Sequence, residues 1–466
     1  MVSPDAALAA LFVLPLTGAL AAFAAPRAAA ALAIGVSWAN AALVGGLYGM
    51  VGARIALGGH AAPLGVALRL DGLAWPFLAL AGALFAFAAS ATAGRALLAK
   101  PGAAALWLTL LAGLNALFVS ADAFNLYITL EVVSLAAVAL TALGGPAAGA
   151  PALRYLFVSL GGSIFYLAGV AFFYRATGAL DIGLIGAAGL SGPALAAPLA
   201  LTTLGLLLKA GAAPFHFWLP PAHAAAAPAA SALLSGVVVK AALYVLIRLW
   251  TDAAPPEALD AAAPVFRVLG LAALGVGALG AFRATRLKAL IAFSTVAQIG
   301  YAPLALGFAA GSPLAVQALV AFMAAHGLAK GAIFLAADGL RRANGHDALD
   351  SLADPGSRLG PTKGAIGLGV VALMGLPPSG GFLAKWTLAE AATAQGHWWM
   401  APLLAGAAVL TGVYMLRLVS ALVRAPACAD GDAPRGWSAL ALAVAAVALG
   451  FSGPMLSALM LAEAAP

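Results

Sequence analysis

The chain has 466 residues, 64% of them hydrophobic and only 8% charged, with a mean hydropathy of +1.04. A soluble domain carries about 25% charged residues, so the composition excludes a soluble enzyme or nucleic-acid-binding module and implies an all-α integral membrane protein. The formal charge of +7 follows the topology of the loops, and the single cysteine, Cys428, excludes an intrachain disulfide, a CxxC zinc site and an iron–sulfur ligand set.

A spanning helix needs about 20 mostly apolar residues. Fourteen such segments are predicted, near 5–25, 31–51, 72–92, 103–120, 123–143, 154–175, 195–213, 230–250, 264–282, 288–308, 313–337, 362–395 (interrupted), 397–421 and 437–461. The first begins without a basic n-region, so it is expected to be a retained helix rather than a cleaved signal. Strands are not expected to span, because the alternating pattern of a membrane barrel is missing. Loops after odd-numbered segments hold 13 of the 23 Lys and Arg residues, and loops after even-numbered segments hold 4. The positive-inside rule then puts both termini on the non-cytoplasmic side. The longest polar link is 341–361. One membrane domain, 1–466, is the expected organisation.

Two segments read as broken. From Lys209 the sequence runs KAGAAPFHFWLPPAHAAAAPAASALLSGVVVK, with Pro214, Pro220, Pro221 and Pro228. Proline removes a backbone donor and clashes with the preceding turn, which predicts a break near Gly211–Pro214. A second break is written as MGLPPSGGFLAK at 374–385. Non-helical backbone at membrane depth survives only where protein buries it or water lines it. A simple proline kink is the plain alternative, but each break has a lysine beside it.

Those lysines belong to a set. Lys209, Lys240, Lys330 and Lys385 lie in apolar surroundings, as do Glu131 and His326. An ionisable group at the bilayer centre costs about 2.5–3.5 kcal/mol on insertion scales, and such residues ordinarily mark ion or proton paths. Glu131 is the only acid in mid-span among the first nine segments, so it is the expected partner of Lys209. A structural ion pair between two helices is the alternative. His326 and Lys330 are four apart and share a helix face. Lys385 has Glu390 five residues on, either as partner or as a cap at the far end. His216 and His223 flank the first break as gating or relay candidates, with packing roles equally open. Arg248 and Arg417, near helix ends, are expected to snorkel.

The segments LKAGAAPFHFWLPPAHAAAAPAASALLSGVVVK, LKALIAFSTVAQIGY at 287–301, HGLAKGAIFLAADG at 326–339 and GLPPSGGFLAK resemble the antiporter-like subunits of respiratory complex I, of Mrp-type cation/proton antiporters and of membrane-bound hydrogenases. The likeness covers nearly the whole chain. It implies two inverted five-helix repeats, about 103–250 and 264–421, with peripheral helices at 1–92 and 437–461 and with helices 7 and 12 discontinuous. It also implies a charged axis at mid-membrane. By motif, Glu131 resembles the family's helix-five glutamate, Lys209 its helix-seven lysine and Lys240 its helix-eight lysine. His326 and Lys330 resemble the helix-eleven pair, and Lys385 the helix-twelve site. Lysine at that last site resembles the D-type Mrp subunit and the N- and L-type complex I subunits, the M type usually having glutamate there, and a chain that stops at Pro466 is unlike the L type with its long lateral helix; the nearest resemblance is to a D-type Mrp subunit or an M/N-type complex I subunit.

The expected function is therefore proton translocation within a multisubunit assembly of a bacterial or archaeal cell membrane. Other membrane subunits and lipid are the expected partners, with sodium, if carried, passing elsewhere in the assembly. No metal or cofactor of its own is expected, and no nucleic acid. The alternatives are a structural or quinone-proximal subunit of a redox-driven complex, and a scaffold whose charges only hold helices together.

Overall fold

In hydrocarbon every backbone polar group must be bonded within the protein, which leaves the helix as the form for these apolar runs. The computed structural model describes residues 4–352, 360–422 and 436–461, and it is helical almost throughout. The loop residues Arg358, Arg424, Cys428 and Arg435 and the chain ends lie outside the described residues. Among those described, ten helices are long and apolar enough to cross a membrane, or up to twelve if two bent pairs each count as one span. The bends are 83° between Ala74–Ser90 and Thr92–Leu98, and 71° between Trp437–Phe451 and Gly453–Met460. Two further predicted segments form shorter apolar helices, Ala103–Val119 and Gly360–Met374. At about 1.5 Å per residue these fall short of a hydrocarbon core of about 30 Å, so length and composition alone do not carry the count to fourteen.

Both predicted breaks are present. Gly192–Ala210 stops at Gly211, whose φ of 64° is left-handed. The chain then runs through a short turn at His216–Trp218 and the helix Leu219–Ala225 before resuming at Pro228. Gly360–Met374 stops at Gly375, with φ 78°, and Gly380–Ala394 follows, N-capped by the Ser379 hydroxyl. A side chain at Gly375 is excluded twice over, by φ and because its Cβ would lie 2.8 Å from Lys385 Cδ.

The centre of the bundle is the span Pro228–Ala253 together with the helix Pro313–Asn344, both buried over their whole apolar stretch. They cross where Gly236 faces Gly327, and a Cβ on Gly327 would sit 2.6 Å from the Gly236 carbonyl. Two more crossings repeat this device. Gly162 and Gly205 join Gly149–Thr177 to Gly192–Ala210, and Gly270 and Gly300 join Pro256–Arg283 to the span Leu287–Leu306. Between helices in lipid there is little hydrophobic drive, and close backbone approach at small residues supplies the contact instead. Outside the bundle, strands Ala53–Ala56 and Ala67–Leu70 pair antiparallel, Ala53 opposite Leu70.

Gly205→Ala would put a Cβ 2.4 Å from the Gly162 carbonyl and 2.7 Å from the Tyr166 nitrogen. The expected cost is about 1–3 kcal/mol, seen as a lower melting temperature in detergent, whereas Gly35→Ala, with open space around it, leaves the melt unchanged.

Candidate functional site

Glu131 sits on the helix Ala123–Ala142, whose N-terminus is capped by the Asp122 carboxylate accepting from the Asn125 amide at 2.7 Å. Lys209 is in the last turn of Gly192–Ala210, where a cation meets the negative end of the helix dipole. The two meet across the bundle. Lys209 Nζ donates to Glu131 Oε1 at 2.7 Å, to Ser134 Oγ at 3.1 Å and to Ser159 Oγ at 3.2 Å. All three ammonium donors are thus used. The Ser163 hydroxyl donates to the same carboxylate oxygen. Gly162 leaves room for the lysine stem, since a Cβ there would lie 3.1 Å from Lys209 Cγ.

The other three lysines are anchored differently. Lys240, 1% exposed, donates to the Ser235 carbonyl at 2.6 Å, inside the π-helical turn Leu234–Val238. Lys330, fully buried, donates to the Ile291 carbonyl at 2.8 Å and to Ser294 Oγ. The Ser235 hydroxyl bonds Thr295 Oγ1 at 2.9 Å, and Thr295 in turn bonds the Ile291 carbonyl. Lys240 and Lys330 are thereby joined through hydroxyls and carbonyls. Lys385 donates to the Leu373 and Met374 carbonyls at 3.0 and 2.8 Å. These belong to the helix end exposed by the second break, so the lysine caps what the prolines opened. Of the four lysines, only Lys209 has a carboxylate within ion-pair range among the described residues.

His326 is stacked on Phe322, and its Nε2 has no protein partner. Lys240, Lys330 and Lys385 all act on it electrostatically. Phe322 in turn packs on Tyr301, over whose ring Lys385 Nζ sits at 5.0 Å. The structure therefore forms two groups from the predicted residues: Glu131 with Lys209, and Lys240, Lys330, His326 and Lys385. The first broken segment lies between them in sequence. Its His223 is fully buried, stacked on Phe334 at 4.8 Å, with both ring nitrogens unpartnered. His216 is half-buried with Nδ1 unpartnered.

Two expectations are corrected. Of the two roles open to Glu390, the pairing with Lys385 is the one overturned: Glu390 is exposed, and the described ion pairs include none between it and Lys385, whose hydrogen bonds go to the carbonyls of the interrupted helix. Nor does Arg248 snorkel. It is 3% exposed and paired with Asp71 and, at 3.4 Å, with Asp252, while Arg69 pairs with both acids. Nearness to a helix end did not reveal that the 67–73 segment covers it. Asp338 was also missed. Its carboxylate is buried and accepts from Arg341 at 3.1 Å and Arg342 at 2.7 Å. Its position eight residues after Lys330, on the same helix face, was the available signal.

With this geometry in place, the comparisons with known proteins fall into line. The family model described as "NADH:quinone oxidoreductase/Mrp antiporter, TM" matches residues 120–411. The chain belongs to this family. The N subunit of the NADH-quinone oxidoreductase of Desulforudis audaxviator is 34% identical over 324 residues, 68% of this chain and 63% of that protein. The D subunit of the Na(+)/H(+) antiporter of Bacillus subtilis is 27% identical over 327 residues, 66% of this chain and 63% of that protein. The match thus spans less than two thirds of the length of either relative. A chain of the Mrp complex from Dietzia sp. superposes with a TM-score of 0.90 at 24% identity, covering 99% of this chain and 97% of that one. At that identity the likeness speaks for the fold. The protein is accordingly a multi-pass, antiporter-like member of the family, and Glu131, Lys209, Lys240, His326, Lys330 and Lys385 all lie within the matched region.

If Glu131 and Lys209 form one energetic unit, Glu131→Gln and Lys209→Met are non-additive. A double-mutant cycle on thermal or chemical unfolding in detergent is expected to give an interaction energy of about 0.5–3 kcal/mol, and simple additivity would show the contact to be incidental.

Proposed function

We propose that the chain translocates protons as one membrane subunit of a larger assembly, passing them along a mid-membrane row of Glu131, Lys209, Lys240, His326, Lys330 and Lys385, with His216 and His223 as relay groups beside the first break. The observation that carries this reading is the contrast within the row. One lysine is paired with a carboxylate, and three are buried against carbonyls and hydroxyls.

An amine held by carbonyl oxygens is not tied to its charge by a counter-ion, and burial favours its neutral form. A carboxylate that approaches or withdraws changes that balance and so captures or releases a proton. The Glu131–Lys209 pair is the point at which such a change enters the row. His326 lies one helical turn from Lys330, and its unpartnered Nε2 makes it the relay candidate between the lysines. Buried polar atoms without protein partners, at His223, His326 and Tyr301, suit a path completed by water. Two inverted repeats over about 103–250 and 264–421, each with one broken helix, would give the row its symmetry. Homologous membrane subunits are the partners, in a cell membrane, and any sodium passes elsewhere in the assembly.

Lys209→Ala and Glu131→Ala, assembled in the whole complex in membrane vesicles, are each expected to abolish coupled proton movement while subunit composition is unchanged. Full coupled transport in both variants would overturn the proposal. A second reading, a mainly structural or quinone-proximal subunit of a redox-driven complex, is favoured by the name of the Desulforudis relative. Co-purification from native membranes in mild detergent separates the two types of assembly: iron–sulfur or flavin subunits point to redox-driven pumping, and only antiporter-type membrane subunits point to ion exchange.

A further inference from the structure

Each of two central helices sets a row of buried residues, ionisable ones among them, on one face, and the two rows run toward opposite ends of the bundle. On Pro313–Asn344, His326, Lys330, Phe334 and Asp338 recur every four residues. On Val239–Arg248 and the turn after it, Lys240, Tyr244, Arg248 and Asp252 do the same. One cavity is lined by Ala254, Pro256, Gly311 and Ser312, and another by Lys288, Asp338, Arg341 and Arg342. These mark the two faces, and the 28-residue helix Pro256–Arg283 separates them by about 42 Å.

The two ends are built differently. At the Asp338 end this residue, its carboxylate held by Arg341 and Arg342, lines two cavities, of about 490 and 360 Å³. At the hairpin end the space inside the clamp, bounded by Arg69, Arg248 and Asp252, holds about 20 Å³, room for roughly one water, and the cavity of about 320 Å³ at Trp250 and Thr251 lies beside the clamp without including Arg248 in its lining. Between Lys240 and that end the path is closed by bonded groups. The Tyr244 hydroxyl donates to the Phe118 carbonyl and accepts from Arg248 Nε at 2.9 Å. The Arg248 guanidinium lies 5.1 Å from the Tyr244 ring centroid and is clamped by Asp71 and Asp252. Asp71 is itself fixed by the Leu73 and Ala74 amides at 3.2 and 2.8 Å. Burial works to raise the Asp71 carboxyl, but Arg248 and Arg69 outweigh it and hold it below the usual carboxylate range.

A guanidinium does not deprotonate in proteins, so it cannot pass a proton on by giving one up. Arg248 and Arg69 are balanced by Asp71 and Asp252, so the cluster obstructs through its bonded, closely packed geometry and the lack of a group that can release a proton. Resting on the proton-carrying role proposed for Lys240, we propose that Arg248 is a selectivity-determining barrier: clamped between Asp71 and Asp252, it closes the way from Lys240 to the hairpin face, so that Lys240 exchanges protons with the Asp338 face. The clamp comes partly from outside the helix that carries Lys240, since Asp71 and Arg69 belong to the hairpin segment.

The test is passive proton flux into liposomes that hold the full chain in its complex, followed with an entrapped pH dye after an acid jump. Arg248→Gln leaves Asp71 buried with less compensation, so it is compared with Arg248→Gln combined with Asp71→Asn, which removes one charge of each sign. Each intact variant, judged by size-exclusion profile and melt, is expected to raise passive flux clearly above that of the unsubstituted complex, and Lys240→Ala in the same background is expected to return it to the unsubstituted level. Unchanged flux in the intact paired variant overturns the proposal, as does a raised flux that survives Lys240→Ala. Passive flux needs no coupled transport. If Lys209→Ala abolishes coupling while the Arg248 variants do not leak, the barrier alone is wrong; if Lys209→Ala and Glu131→Ala keep coupling, the carrier reading falls whatever Arg248 does.

Discussion

A buried amine that is bonded to carbonyl oxygens instead of a carboxylate is the constraint on which this structure turns. Lys240, Lys330 and Lys385 each reach a backbone carbonyl, and the fold supplies those carbonyls in specific ways. Lys385 uses the end of a helix cut by Pro377 and Pro378, and Lys240 uses a π-helical turn, a distortion that recurs at functional sites. A carbonyl dipole solvates an ammonium without fixing its charge, and it tolerates the neutral amine as well. A carboxylate partner at each site would have favoured the charged form throughout.

Helix interruption and lysine placement are therefore one design. A broken helix in an apolar setting leaves carbonyls that must be satisfied. In the first break the Trp218 indole bonds the Leu208 carbonyl, Lys288 bonds that of Ala226 and Ser231 that of His223. In the second, Lys385 does the same for Leu373 and Met374. The glycine crossings complete the arrangement by bringing backbones close enough for side chains on one helix to reach carbonyls on the next. Lys209 reaches the Glu131 carboxylate past Gly162 at one such crossing, and Lys330 reaches the Ile291 carbonyl on the neighbouring helix.

The polar groups off this row are polarised. One face of the bundle ends in a buried carboxylate, Asp338, beside two cavities, and the other in interlocked arginines and aspartates around a space of about 20 Å³, with a wider cavity at Trp250 and Thr251 beside them. Both kinds of end involve segments peripheral to the broken helices. The hairpin strand Ala67–Leu70 and the turn after it supply Arg69 and Asp71, and the bend between Ala74–Ser90 and Thr92–Leu98 borders the Asp338 cavities. The helices at the start of the chain thus help set access to the centre.

Much was legible in the chain itself, because in a bilayer the physics of single residues is severe. Apolar runs had to be helices, clustered prolines with glycine beside them broke two, while single prolines such as Pro15, Pro198 and Pro264 are carried inside helices, and charges within the runs had to be buried by protein. Elimination alone named Glu131 for Lys209, there being no other acid at mid-span in the first nine segments. What the sequence could not decide was what covers a residue. Arg248 stands near a helix end, a position that suits snorkelling, but a distant turn folds over it and supplies Asp71. Glu390 stands close to Lys385 in sequence, yet freed carbonyls hold the amine and the acid faces outward. Periodicity fixes which residues share a face of one helix, whereas only the packing of helices separated by scores of residues determines which faces meet, and the partners of a buried charge are chosen there.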